Sequence, residues 1–359
     1  MVEINQTKCD LAAQIVYHPV YRISQFWTLS VSLLAVPSLL YFLIKRILLL
    51  PFHGNLKCLL ATYFVCIFLY ALILSFDFVS FQTGYPNFSF FFQTYHCIVP
   101  FFVTSSCSLI INETLYKYGH VTSLFLLTTP MLLPIGFSIE RFVAIGMAYE
   151  YEKVRTLMGP ILSFILVTPN FIVFYFIFRN ETFTDSFISF LVLPNTSAVS
   201  FNNYLWYLLY AKLGNFCCNC VLLIVHKRFK TRFLLKQTSL SVRYAMEEIS
   251  QSSKFTLILT FTHLIFFGAY TIGSILVRTL GEPFFGSSLN YSVARGVNCA
   301  VPTYNLLIAF IGFTSLHHLN ARRQSKVLTT VKIRSRGHEG AKNYDNAIMK
   351  QWNSSPRRF

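Results

Sequence analysis

The chain has 359 residues, of which 54% are hydrophobic, 17% aromatic and only 12% charged, with a formal net charge of +16. An average soluble domain carries roughly 25% charged residues, so a single core folded in water does not account for this composition. The basic excess gathers in loops between long apolar runs, which gives no reason to expect a nucleic-acid partner and favours contact with anionic membrane lipid.

Residues 1–22 are mostly polar and read as an extracellular N-terminal segment. Apolar runs follow at 23–44, 58–76, 118–139, 156–178, 203–226, 255–277 and 296–316, and only the fifth is interrupted by a charge, Lys212. A helix needs about 20 apolar residues to cross a bilayer core, because it rises about 1.5 Å per residue and unpaired backbone groups are intolerable in hydrocarbon. The expected fold is therefore an all-α membrane protein, a bundle of seven transmembrane helices. The first run lacks the basic leader and small-residue cleavage site of a removable signal and is expected to stay as an anchor. The charge-free stretch from Phe78 to Asn112 is broken by Gly84, Pro86 and Pro100, and reads as an aromatic outer loop rather than an eighth span.

The loops set the orientation. Lys45, Arg46 and Lys57 lie after the first span, Arg141, Lys153 and Arg155 after the third, and seven bases from Lys227 to Lys254 after the fifth. The alternate loops hold only Lys8, Arg22, Lys117, Arg179, Arg278 and Arg295. Basic residues accumulate on the cytoplasmic side, which places the N-terminus outside and the C-terminus inside. N-x-Ser/Thr triplets at Asn5, Asn87, Asn112, Asn180, Asn195 and Asn290 all fall on the outer side by this assignment and are the glycosylation candidates. Beyond the seventh span, 317–333 mixes Leu and Val with Arg and Lys and is expected to form a short amphipathic helix on the inner leaflet. Polar residues dominate 334–359, and a disordered cytoplasmic tail is expected there.

Cys9, Cys97 and Cys107 fall on the oxidising side, where Cys107 can pair with Cys9 or with Cys97; spacing does not choose between them. Cys217, Cys218 and Cys220 point around most of a helix circumference and read as packing residues, so no metal and no cofactor are expected. Lys212 is an ionisable group near the middle of a span, where it either faces a cavity in the bundle or snorkels to the interface. Pro37, Pro130, Pro134, Pro160, Pro169 and Pro302 sit inside spans and permit bends. No nucleophile elbow, phosphate loop or zinc-binding His pair is present, and the acids are too scattered for an acid/base pair, so no enzyme activity is expected.

The third span ends in Glu140-Arg141-Phe142, which resembles the Asp/Glu-Arg-Tyr motif of G-protein-coupled receptors with Phe in place of Tyr. Tyr17-His18-Pro19-Val20-Tyr21-Arg22, Pro51-Phe52-His53-Gly54-Asn55-Leu56-Lys57, Lys117-Tyr118-Gly119-His120 and Pro302-Thr303-Tyr304-Asn305 follow in order along the chain. Together these segments resemble the nematode serpentine receptors, and are most similar to class beta of the Sra superfamily. The resemblance implies a chemosensory receptor in a multi-pass plasma membrane, ciliary or dendritic in a sensory neuron. It further implies a small-molecule or peptide ligand outside and a heterotrimeric G protein inside, coupled through Glu140, Arg141 and Phe142. His120, Lys212, His263, Tyr270 and Asn298 are the candidate pocket residues, and Pro302, Tyr304 and Asn305 form the seventh-helix motif. Two rivals of the same span count are an inverted ligand-gated channel, which needs the N-terminus inside, and a transporter using Lys212 as a coupling site.

Overall fold

A computed structural model describes residues 6–47, 50, 52–75, 78–79, 90–91, 107, 110–111, 113–147, 156–183, 189–190, 192–235, 240–297, 299–334 and 337–354. Asn5, Asn87, Asn112, Cys97 and Asn298 lie outside the described residues, as does most of the loop that follows the second span. Met1–Ile311 form one compact unit and Gly312–Phe359 a second.

The first unit opens with α1 (Gln6–Tyr17), and α2 (Pro19–Phe42) follows, ending in a wider π turn, Leu43–Ile47. Pro19 stands in the first turn of α2, where its missing N–H costs no hydrogen bond. Then come α3 (Gly54–Ser75) and a two-residue antiparallel ladder between β1 (Phe78–Val79) and β2 (Phe90–Phe91). The remaining helices are α4 (Glu113–Gly146), α5 (Met158–Phe178), α6 (Asn195–Leu235), α7 (Leu240–Phe285), α8 (Ser288–Gly296) and α9 (Ala300–Arg334), which runs past the end of the unit. The second unit adds α10 (Gly337–Ser354).

Seven stretches are long and apolar enough to cross a membrane: Pro19–Ile47, Gly54–Ser75, Glu113–Gly146, Met158–Phe178, Thr196–Phe229, Met246–Phe285 and Ser288–Ser315. The protein is a multi-pass membrane protein. Its outward side chains fit a lipid solvent: Phe164, Phe171 and Phe176 on α5 are all more than 60% exposed, which water would penalise and hydrocarbon does not. The third helix of the bundle, α4, is central and packs against α3, α5, α6 and α7. Where α5 meets α3, a side chain on Gly159 would stand 2.5 Å from the Asn55 carbonyl oxygen. The glycine lets the backbones approach, and Asn55 Oδ1 accepts the Gly159 N–H at 3.0 Å.

Several elements differ from the sequence reading. The third, fifth and sixth helices run well beyond 118–139, 203–226 and 255–277, because no helix breaker stands at those edges and helical backbone remains satisfied in water as in lipid. α7 continues to Gly281, whose φ of 65° breaks it shortly before Pro283. The seventh span is two helices: α8 ends at Gly296, Val297 is extended, and α9 starts at Ala300 with Pro302 in its first turn. No separate amphipathic helix covers 317–333, since α9 passes through that stretch with no proline after Pro302. The N-terminal segment 1–22 contains α1 and the start of α2. The tail expected to be disordered carries α10, favoured by Ala341, Lys342, Ala347, Met349, Lys350 and Gln351, all good helix formers.

Candidate functional site

At the C-terminal end of α4, Glu140 and Arg141 are both buried, and the guanidinium grips the carboxylate with two bonds of 2.5 Å. Two parallel charge-assisted bonds offset much of the cost of removing both charges from water. The remaining arm, Nη1, donates to Ser252 Oγ on α7. Ser252 returns its own proton to the carbonyls of Glu248 and Ile249, so α4 and α7 are joined at this end through one arginine. Phe142 does not take part; it is 67% exposed and points away.

Near mid-depth lies a second cluster. Lys212 on α6 is buried and its Nζ has no hydrogen-bond partner. It sits 4.7 Å from the centre of the Phe267 ring on α7, an arrangement that returns part of the desolvation cost through the ring quadrupole. His263, one turn from Phe267, is also fully buried, with neither ring nitrogen bonded. Its ring meets Phe267 edge-on at 4.0 Å, stacks on Tyr304 at 5.0 Å and lies edge-on to Tyr63 at 5.6 Å. The hydroxyls of Tyr63 on α3 and Tyr304 on α9 bond each other. Asn305 is buried beside Tyr304 in sequence with its Nδ2 unmatched, and Pro302 is buried.

Below Lys212, Asn215 Oδ1 accepts from Ser138 Oγ at 2.5 Å, and Asn219 Nδ2 donates to the same hydroxyl at 2.6 Å. A further polar knot ties α4, α5 and α6. Asn170 Nδ2 donates to Thr128 and Thr129 at 3.1 and 2.9 Å, while its Oδ1 accepts from Tyr204 at 2.5 Å.

The other end of the bundle gathers α1, Cys107, residues 181–183, 189–190 and 192–194, and α8. Cys9 and Cys107 are joined in a disulfide, and α1 packs Ala12, Ile15 and Val16 against Tyr21 and Val293. His120 lies here rather than with Lys212: its Nδ1 is 2.5 Å from the Phe190 carbonyl oxygen and its ring stacks on Tyr116 at 5.0 Å. Tyr270 is half-buried and bonds Ser274 one turn along α7. Asn180 and Asn290 are exposed at this end, and Asn195 opens α6. Asn290 is partly engaged, its Nδ2 donating to the Phe285 carbonyl at 3.2 Å.

Of the five pocket candidates, Lys212 and His263 thus meet at one ring, His120 stands at the other end, Tyr270 lies one turn from Phe267 on α7, and Asn298 lies outside the described residues. Sequence reasoning passed over Ser252, Phe267, Tyr63 and Asn170. For Ser252 a signal existed, because it lies about three turns from His263 on the same stripe of α7. Among the described residues, no group of three or more His, Cys, Asp or Glu is placed to hold a metal ion.

The model of the serpentine type seven-transmembrane G-protein-coupled chemoreceptor family Srb matches residues 17–267. Serpentine receptor class beta-5 of Caenorhabditis elegans is 75% identical over 358 residues, covering 100% of this chain and 99% of that protein. Serpentine receptor class beta-13 of the same organism is 61% identical, with 98% of each chain covered. The more distant class beta-15 is still 34% identical over 99% of this chain and 100% of its own.

Proposed function

Because the chain belongs to the Srb family of serpentine seven-helix chemoreceptors, we propose that it detects an external ligand and passes the signal to a heterotrimeric G protein through the Arg141 end of the bundle. In this reading the N-terminus, the disulfide and the sequons face outside, and the basic segments 45–57 and 227–254 face the cytosol, as the charge distribution favours. The working location is the plasma membrane, and by family a sensory cilium or dendrite.

The observation that carries the reading is the buried Arg141, held between Glu140 on its own helix and Ser252 on α7. Such a link keeps the inner ends of α4 and α7 together and hides the arginine. A ligand shifts this equilibrium only by binding the open bundle more tightly than the closed one. When it does, α6 and α7 swing, the Ser252 bond breaks, and Arg141 and the basic loop meet an acidic face of the G protein. Binding among the outer and middle parts of α4, α6, α7 and α9 supplies the differential contacts.

The test is a G-protein readout in cells expressing the full chain, screened with volatile and water-soluble compounds. Arg141→Ala is expected to remove the ligand response while surface expression persists; an undiminished response rules out the coupling role. Glycan mapping at Asn180 and Asn195 reads the orientation, since modification at either requires that end to face the lumen during synthesis.

A further inference from the structure

Lys212 is not alone in lacking a hydrogen-bond partner. Its Nζ, Asn215 Nδ2 and Asn305 Nδ2 are buried nitrogen donors with no partner. On α7 the residues Thr260, His263, Phe267 and Thr271 recur at three- and four-residue spacing and form one stripe. All three polar members of that stripe are buried with unmatched side-chain atoms. Buried polar groups are ordinarily satisfied, and a run of unmet ones marks a place where something else supplies the bonds. No described acid does so: Glu140 is the one buried acid among the described residues, and it is spent on Arg141.

We propose that Lys212 and the unmatched face of α7 form a subsite for the carboxylate of a small organic acid, with Phe267, Tyr304 and Tyr63 enclosing the apolar body of the same molecule. A carboxylate offers about four lone-pair positions and no donor, which complements an ammonium with an imidazole near the same ring. The ring faces already gathered around His263 suit an aliphatic or aromatic body. This deepens the receptor reading and rests on it for location, because the same mid-depth cluster lies between the helices that must move.

The experiment uses the full chain in nanodiscs of neutral phosphatidylcholine and follows thermal unfolding with hexanoate, benzoate and 3-phenylpropanoate, each beside its methyl ester. At least one acid is expected to raise Tm by roughly 5 °C at saturation while its ester does not. In Lys212→Met the acid effect disappears and the ligand-free Tm rises, since an unpaired buried amine is replaced by an apolar chain of similar length. Lys212→Arg keeps the charge and retains part of the acid effect. If Lys212→Met does not fold, Lys212→Gln is read in the same way. Equal stabilisation by acids and esters, an acid effect that survives loss of Lys212, or no effect of any acid on the folded wild type overturns the subsite.

The two readings fail separately. An acid that stabilises the wild type but not Lys212→Met, yet evokes no G-protein signal, keeps the subsite and removes the coupling role. A G-protein signal that Arg141→Ala abolishes, in a wild type that no acid stabilises, does the reverse.

Discussion

Two of the polar clusters buried in this bundle are built on opposite terms. Around Asn170 every amide atom has a partner, drawn from Thr128, Thr129 and Tyr204 on two neighbouring helices. Around Lys212 and His263 the polar atoms lie against aromatic rings and go unmatched. A saturated network fixes helices to one another, while an unsaturated one leaves a free-energy cost that a ligand can remove. The difference assigns stability to the first cluster and recognition to the second, and substitutions in each should differ in kind. The largest effect is expected at the first. Asn170→Leu removes the interhelical bonds to Thr128, Thr129 and Tyr204, although both threonines keep a carbonyl of their own helix, and at about 0.6–1 kcal/mol per interhelical bond the loss is roughly 2–3 kcal/mol. Thermal melts in detergent should show it directly, and a Tm equal to wild type would dissolve the contrast between the clusters.

The family fold was legible because apolar runs of membrane length survive any tertiary detail. The number of spans and the separation of basic from basic-poor loops needed nothing beyond composition. Helix ends were not legible, since α4, α6 and α7 extend past hydrocarbon into polar sequence that still favours helix. The break after Gly296 had a signal that went unread, a glycine at the end of α8 and Pro302 shortly beyond it, because the apolar run 296–316 continues across both. Lys212 stood out as a charge in a span, and Glu140-Arg141 as a motif. Their partners did not stand out. Ser252, Phe267 and Tyr63 are ordinary residues in their helices, and their importance comes from which helix faces which. Pairing across 111 positions, as between Arg141 and Ser252, is a property of the packed bundle.

The Arg141 site stands between the two clusters: its guanidinium is paired with Glu140, and it also reaches α7 through the hydroxyl of Ser252. Ser252→Ala should therefore leave the receptor folded and weaken only the closed state. A loss of about 1 kcal/mol corresponds to a roughly five-fold rise in the open population, read as basal G-protein activity without ligand. Ser252→Thr keeps the hydroxyl and should stay near wild type. Basal activity unchanged in Ser252→Ala would show that the bond does not hold the bundle closed.

The smallest expected effect lies where the clusters differ most subtly. Tyr63 and Tyr304 satisfy each other's hydroxyls, yet Tyr304 also stacks on the unmatched His263. Tyr63→Phe leaves one phenol without its partner, and Tyr304→Phe leaves the other, each at about 0.6 kcal/mol. The double substitution removes both polar atoms at once and keeps both rings, so its cost should be close to that of either single change rather than their sum. A double-mutant cycle on Tm measures that coupling, and strictly additive losses would mean that the hydroxyl pair is not an interacting unit. The same variants keep the aromatic wall around His263, so their response to 3-phenylpropanoate should survive. A lost response with unchanged Tm would move the Tyr63 and Tyr304 hydroxyls from the structural set into the recognition set, and shift the boundary between the two clusters toward α3.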